Sequence, residues 1–171
     1  MRRYSLPALL ALVVLVGPGC EEQDDAGPCR PVVVETPMDL PVRGDGALIL
    51  GELEAGDRLA AWSDGETVDL VDGFQGGYMV TPAVALPGDS VSCATVRLEA
   101  SVDGNSLGAG VFAGSFQASF DGGSVSQAFP ALLGFDADSL VGGALTLTAI
   151  AYTEEWRSEP DTRTVVLGAP N

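Results

Sequence analysis

The segment ATVRLEASV, residues 94–102, has the most regular pattern in the chain. Every second residue from Ala94 to Val102 is apolar, and the residues between them are threonine, arginine, glutamate and serine. Because successive side chains of a strand point to opposite faces, this alternation predicts a strand with one buried and one solvated face. Half-buried strands of this kind are typical of antiparallel sheets.

The sequence around this segment predicts further short strands separated by turns. Glycine and proline occur 22 and 11 times, and Val, Leu, Thr and Ala dominate between them, which favours strands and turns over helices. Strands are expected at Leu107–Phe112 and Gly114–Phe120. The Asp-Gly-Gly run at 121–123 then predicts a hairpin that leads into a strand at Val125–Phe129.

We expect an all-β fold, a single immunoglobulin-like antiparallel β-sandwich over residues 32–171. About seven to nine short strands without helical periodicity indicate a sandwich or a barrel, and a small antiparallel barrel is the alternative. Residues 130–143 are rich in turn formers and are expected to be a loop. The last two predicted strands, in Ala144–Thr153 and Thr162–Leu167, resemble the end of bacterial immunoglobulin-like modules, a resemblance that implies the sandwich.

Residues 1–19 predict a secretory signal peptide. Arg2 and Arg3 supply the positive start, Leu6–Val16 supplies an apolar core, and small residues follow it. The apolar run is about eleven residues long, whereas a membrane-spanning helix needs roughly twenty. We therefore expect this segment to be removed rather than retained as a membrane span.

The segment LVGPGC, which ends at Cys20, resembles the lipobox of bacterial lipoproteins. The resemblance implies that the Cys20 thiol is lipidated and that cleavage occurs just before it. Two or three acyl chains on one residue are enough for stable membrane anchoring. The alternative is ordinary signal cleavage, which would leave Cys20 as a free thiol.

Residues 20–31 are expected to form a flexible tether between the lipid anchor and the domain. The run from Glu21 is acidic and poor in apolar residues, so it cannot bury itself. Glu21 stands where enteric lipoproteins that stay in the inner membrane carry aspartate. By that resemblance we expect the cell envelope, and the outer membrane in particular, as the location.

Cys29 and Cys93 are the two cysteines left once Cys20 is lipidated. In an oxidising compartment such a pair predicts a disulfide. The alternative is two separate buried thiols.

The composition excludes several classes of function. The chain has 8 basic and 24 acidic residues, with no histidine and no lysine, and without Arg2 and Arg3 the net charge falls from −16 to −18. Such a polyanion repels nucleic acid, so no nucleic-acid partner is expected. Without histidine or lysine there is no Ser-His-Asp triad, no Schiff base and no phosphate-binding P-loop.

Carboxylates remain as the candidate chemical groups. Glu154, Glu155 and Glu159 surround Trp156, and paired carboxylates could hydrolyse glycosides. Adjacent Glu154 and Glu155 would point to opposite faces of a continuing strand, so we expect no catalytic site there.

Calcium binding is the second function that these carboxylates could serve, after glycoside hydrolysis. Asp136 with Asp138, and Glu66 with Asp69 and Asp72, have suggestive spacings, but neither set matches an EF-hand loop. In a chain this acidic such spacings arise by chance. We expect no metal and no cofactor.

The segment VDLVDGFQGGYMV, residues 68–80, is the most distinctive sequence motif in the chain. It resembles a run found in uncharacterised, myxobacterial-type secreted lipoproteins, in which a Gly-Gly-aromatic-His sequence follows a strand. Met79 stands here where that family usually has histidine. The closely spaced glycines predict a tight turn or a close ligand contact.

Three functions are compatible with these features. The first is a noncatalytic binding module that contacts an envelope protein or a carbohydrate through its loops, with Phe74, Gln75, Tyr78 and Trp156 as candidate contacts. The second is a purely structural envelope component. The third, which ranks last, is a carboxylate-based carbohydrate hydrolase. An exposed patch of Phe74, Tyr78 or Trp156 would favour the first, and burial of all three the second.

Overall fold

The computed structural model describes residues 29, 32, 36–43, 47–54, 58–73, 76–88, 91–119 and 122–171. The predicted signal peptide, Cys20 and most of the predicted tether lie outside these residues, as do Phe74 and Gln75 of the candidate loop. Within the described residues no helix has the length and apolar character needed to cross a bilayer.

The described chain consists almost entirely of strands. A 3-10 turn at Pro37–Asp39 precedes the first strand, and one short helix, α1, lies at Ala137–Leu140. The strands are β1 (Ile49–Glu54), β2 (Arg58–Ala61), β3 (Thr67–Asp72), β4 (Tyr78–Val80), β5 (Pro82–Leu86), β6 (Cys93–Val102), β7 (Asn105–Ala118), β8 (Ser124–Ser126), β9 (Ala131–Gly134), β10 (Ala144–Tyr152) and β11 (Asp161–Pro170). The prediction of an all-β fold is confirmed.

The strands join in one hydrogen-bonded succession that curls into a half-barrel. Their order is β2-β1-β5-β8-β7-β6-β10-β11-β3-β4-β9. All the neighbours pair antiparallel except β3 and β11, which run parallel with Val166 opposite Thr67. The sheet is therefore mixed, which corrects the wholly antiparallel pairing expected for the sandwich and for the alternative barrel.

Strand β6 lies in the middle of this succession, between β7 and β10. Val96 and Leu98 are fully buried or nearly so, while Glu99 on the other face is exposed. On β10 the buried residues Leu145, Leu147 and Ala149 continue the same face, because Leu147 pairs with Ala100. The alternation in the sequence therefore marks the central strand of the core.

Two predicted element boundaries differ from the structure. The expected strands Leu107–Phe112 and Gly114–Phe120 are one strand, β7, because pairing with β6 continues through Gly114 opposite Ala94. A Cβ on Gly114 would lie 3.0 Å from the Ala94 carbonyl oxygen, so this glycine allows close strand approach rather than a break. The expected loop 130–143 contains β9 and α1.

The sheet curls because short connections join strands that lie near its opposite ends. Thr81 is the single residue between β4, which pairs with β3, and β5, which pairs with β1. Residues 62–66 likewise join β2, at one edge, to β3 near the other. Because these links are short, the two ends of the sheet must lie close together.

A partly buried carboxylate, that of Asp161, connects β1 with β11. The Leu50 amide donates to Asp161 Oδ2 over 2.8 Å. Arg163 donates to the same oxygen from Nε over 3.1 Å and approaches Oδ1 with Nη2 at 3.0 Å. Asp161 therefore links two strands that are not neighbours in the sheet, with its charge balanced by the adjacent arginine.

A disulfide joins Cys29 to Cys93, the first residue of β6. The S–S distance is 2.08 Å and the Cα–Cα distance is 5.3 Å. The predicted pairing is confirmed. The cross-link holds the start of the domain against its central strand.

The Tyr152 ring is buried at the end of β10, where the chain turns back and bridges to Arg157. Burial raises the pKa of the Tyr152 hydroxyl, and the charge of Arg97 opposes this rise. The neutral phenol is therefore the form that the folded state favours.

Replacing both disulfide cysteines, Cys29→Ser with Cys93→Ser, should lower the free energy of unfolding by about 2–4 kcal/mol, because the cross-link closes a long loop in the unfolded chain. Urea denaturation of the purified chain measures this change. The control is the same measurement with reductant, which should shift the wild type toward the variant and leave the variant unchanged. Equal stabilities would contradict the proposed role of the cross-link.

Stability should also fall as the pH rises above about 10, the ordinary pKa of tyrosine. The unfolded chain releases the Tyr152 proton at lower pH than the folded chain does, so deprotonation favours unfolding between those two pKa values. Because the chain has no lysine, no lysine side chain titrates in the same pH range as the Tyr152 hydroxyl. Urea denaturation at several alkaline pH values should give a shallower decline for Tyr152→Phe than for wild type, and parallel declines would refute the assignment.

Candidate functional site

The segment with the glycine pair leads into β4, and its residues lie at the β9 end of the sheet. Tyr78 pairs with Asp72 of β3 and with Gly134 of β9. Its side chain is half-buried and packs against the core. The candidate binding residue Tyr78 therefore contributes to packing with much of its ring.

An apolar row crosses the outer face of these three strands. Met79 of β4 pairs with Val71 of β3 on one side and with Leu132 of β9 on the other. Residues paired across strands place their side chains on the same face. Met79 therefore lies in the middle of an apolar row.

Leu132 and Phe135 are the most exposed members of this surface, with 55% and 69% of their area accessible. Both lie over Gly77, since a Cβ added there would meet Leu132 Cδ1 at 2.6 Å and Phe135 Cε1 at 3.3 Å. Val71, Gly77, Met79, Leu132 and Phe135 together are called here the β9 apolar surface. An exposed apolar cluster of this kind is typical of an interaction site.

Strand β9 is also the last strand of the sheet, so its outer edge has no neighbouring strand in the described part of the chain. Unpaired edges offer backbone donors and acceptors to a partner. Exposed carboxylates of Asp72, Asp136 and Asp138 come from elements at this end of the sheet. The β9 apolar surface thus combines exposed apolar side chains with an unpaired strand edge and with negatively charged carboxylates nearby.

The sequence analysis missed Leu132 and Phe135 because it expected residues 130–143 to be a loop. The sequence pattern that indicates a strand here is the apolar run Ala131-Leu132-Leu133. A run of this length does not distinguish a strand from a buried turn. Leu133 is buried while Leu132 is exposed, so the two faces of this run differ only in the tertiary structure.

Trp156 lies elsewhere and is largely covered. It packs against the core, and the Arg43 guanidinium lies over its ring at 5.3 Å from the centroid. Its amide donates to Thr153 Oγ1 over 3.3 Å. These contacts assign Trp156 a packing role at the turn between β10 and β11.

Tyr78 and Trp156 do not form one patch. Trp156 precedes the start of β11, whereas Tyr78 pairs with Asp72, just beyond the point where Leu70 lies opposite Pro170 at the end of β11. The length of β11 separates the two, on the order of 30 Å at the usual rise per residue of a strand. The four candidate contacts therefore cannot bind a small ligand together.

The carboxylates around Trp156 are dispersed. Glu154 and Glu155 are exposed at a turn, and Glu159 lies 3.6 Å from the Arg157 guanidinium. None of them shares a described cavity with a second carboxylate.

The acidic pairs considered for calcium make local structural contacts. Asp136 caps α1 by accepting from the Asp138 amide over 3.2 Å, and Glu66 accepts from the Ser63 amide over 2.8 Å. Within the described residues no three aspartate, glutamate, histidine or cysteine side chains are grouped as metal ligands. Asp136 and Glu66 therefore serve local structure.

Comparison of the chain with models of protein families, with curated proteins and with solved structures finds no match.

Proposed function

We propose that this chain is a noncatalytic binding module, held at the bacterial cell envelope by a lipid on Cys20, which contacts another envelope protein through the β9 apolar surface. The exposed cluster of Leu132 and Phe135 beside an unpaired strand edge is the observation that carries the proposal. Outer-membrane attachment is part of the same proposal.

The energetics of the β9 apolar surface support a protein partner. Complete burial of a leucine or phenylalanine side chain stabilises a complex by about 1.5–3 kcal/mol. Leu132 and Phe135 are more than half exposed, so much of this free energy is available to a partner. Met79 beside them adds a flexible thioether that adapts to irregular surfaces.

The charge around the surface favours a basic partner. The chain without its leader carries a net charge of −18, and Asp72, Asp136 and Asp138 are exposed at the same end of the sheet. Complementary charge on the rim of an interface speeds association and discourages unsuitable partners. A partner with an apolar centre and arginine or lysine at its rim fits these conditions.

The other two functions receive less support. A purely structural component has no need of exposed side chains such as Phe135. A carbohydrate contact at Trp156 would require an accessible ring face, and Arg43 lies over that ring. A hydrolase would require two carboxylates in one cleft near Trp156, and Glu154, Glu155 and Glu159 are dispersed there.

Mass spectrometry of the chain extracted from membranes should give an N-terminal acylated Cys20 and no peptide from residues 1–19. Cys20→Ala should release the protein from the membrane fraction, because the thiol that carries the lipid is lost. A mature chain with an intact Met1 terminus would refute the anchor.

A photocrosslinking amino acid at position 132 should link the chain to one discrete envelope protein in the cells that naturally make it. Val111 provides the matched control, because it is 52% exposed and lies on the face of β7 opposite to its neighbours Gly110 and Phe112, which line a cleft with Leu132. We expect no such product from position 111. Leu132→Asp should reduce crosslinking from position 135 at least tenfold, since a buried charge opposes the contact.

Equal products from positions 111 and 132 would show nonspecific contact and would overturn the proposed interface. A lack of product from both 132 and 135 would favour the purely structural component.

A further inference from the structure

The domain connects to Cys20 from one end of its central strand. The disulfide joins Cys29 to Cys93, the first residue of β6. Because this cross-link fixes the position of Cys29, the chain that leads back to Cys20 starts from the same place. The Cys93 end of β6 is called here the tether end.

Phe135 of the β9 apolar surface lies at the opposite end of β6. A Cβ on Gly143 would lie 3.2 Å from Val102 Cγ1, and Val102 is the last residue of β6. The Gly143 amide donates to the Leu140 carbonyl over 2.9 Å. The Leu140 side chain in turn lies 3.5 Å from the Cβ position of Gly134, the residue before Phe135. Since β6 has 10 residues, Phe135 lies about 30 Å from the tether end along the strand direction.

The connection to Cys20 makes an inverted domain unfavourable. Cys20 and Cys29 are nine residues apart in the sequence, a distance of at most about 32 Å when the chain is fully extended. If Phe135 lay against the bilayer with the tether end above it, this connection would have to cover about 30 Å, nearly its full reach. Full extension removes almost all of the conformational freedom of the connection, which costs free energy.

Charge disfavours contact between the bilayer and the Phe135 end of the domain. The chain without its leader carries a net charge of −18, and Asp136 and Asp138 are exposed beside Phe135. A membrane with anionic lipids has a negative surface potential that repels these carboxylates. Insertion of Phe135 would also bring both aspartates toward the hydrocarbon, where an ionised carboxylate is costly. The Phe135 ring is therefore poorly placed to act as a second membrane anchor.

We propose that the Phe135 end of the β9 apolar surface points away from the membrane that holds the anchor, and that its partner is a protein domain in the aqueous phase. This inference rests on the proposed function, namely the lipid on Cys20 and the protein contact at β9. It adds the direction from which the partner approaches. It also separates an aqueous protein domain from the lipid bilayer as the occupant of the exposed apolar side chains.

Energy transfer to the bilayer tests this orientation. The chain from Cys20 is coupled through the Cys20 thiol to a maleimide lipid, in vesicles of phosphatidylethanolamine and phosphatidylglycerol with an acceptor dye on lipid headgroups. A donor dye is attached through an azide-bearing amino acid at position 155 or at position 138.

The two donor positions are matched, because Glu155 and Asp138 are both exposed carboxylates. Position 155 lies at the tether end, since Tyr152 pairs with Thr95 near the start of β6. Transfer from position 155 should exceed transfer from position 138 about twofold or more, because position 138 is about 30 Å farther from the tether end.

Moving the lipid to the other end of the domain is the control. In a Cys20→Ser chain, Val141→Cys carries the lipid next to α1, where the native valine is 45% exposed. Transfer from position 138 should then exceed transfer from position 155. This reversal shows that the measurement reports orientation and not the surroundings of each dye.

Equal transfer from the two positions in the chain anchored at Cys20, or stronger transfer from position 138, would overturn the inference. In the same chain Phe135→Ala should leave both values unchanged. A fall in transfer from position 138 in this variant would show that Phe135 inserts into the bilayer, which would assign the β9 apolar surface to the membrane.

Failure of this inference is distinguishable from failure of the proposed function. Because the lipid is attached chemically, the measurement does not depend on whether cells acylate Cys20. A protein crosslinked from position 132 together with equal transfer would keep the protein contact and refute the orientation. The expected transfer ratio without any crosslinked protein would keep the orientation and refute the partner.

Discussion

Burial of one face of a single continuous sheet is the constraint on which the rest of this structure depends. A flat sheet of eleven strands would leave its apolar face in water, and no helix of the described chain is long enough to cover it. The sheet therefore covers itself by curling, with β6 and β10 at the centre of the core. Short links at Thr81 and at residues 62–66, together with Asp161 between β1 and β11, keep the two ends of the curled sheet near each other.

The same curl produces two features of the surface. A half-barrel that does not close leaves an edge, and β9 at that edge carries exposed apolar side chains. Where the two sheet ends approach, the β1 and β3 strands leave a polar cleft instead of a packed seam. Open edges are a liability unless they are covered or used, and the proposed partner at β9 would also cover Phe135, which follows that strand.

The predictions from sequence succeeded where a local pattern has one physical meaning. Alternation along residues 94–102 identified a strand with one buried face, and the remaining two cysteines identified the disulfide. The sequence predictions failed where the role of a residue depends on contacts with residues far away in the chain. A break was expected between Phe112 and Gly114, although the pairing with β6 continues there and Gly114 permits close approach to Ala94. The apolar run at 131–133 was assigned to a loop. Of the candidate contacts, Tyr78 lies next to the exposed surface and Trp156 serves packing.

The amino-acid sequence alone was sufficient for the all-β class, the half-buried strand at residues 94–102 and the cysteine pair, because side-chain period, turn residues and cysteine count are local or compositional properties. The tertiary structure alone decided the parallel pairing of β3 with β11, the exposure of Leu132 and Phe135, and the meeting of Glu52, Trp62 and Asp69 at one corner. These features follow from how the sheet curls, and the curl depends on contacts between residues far apart in the chain.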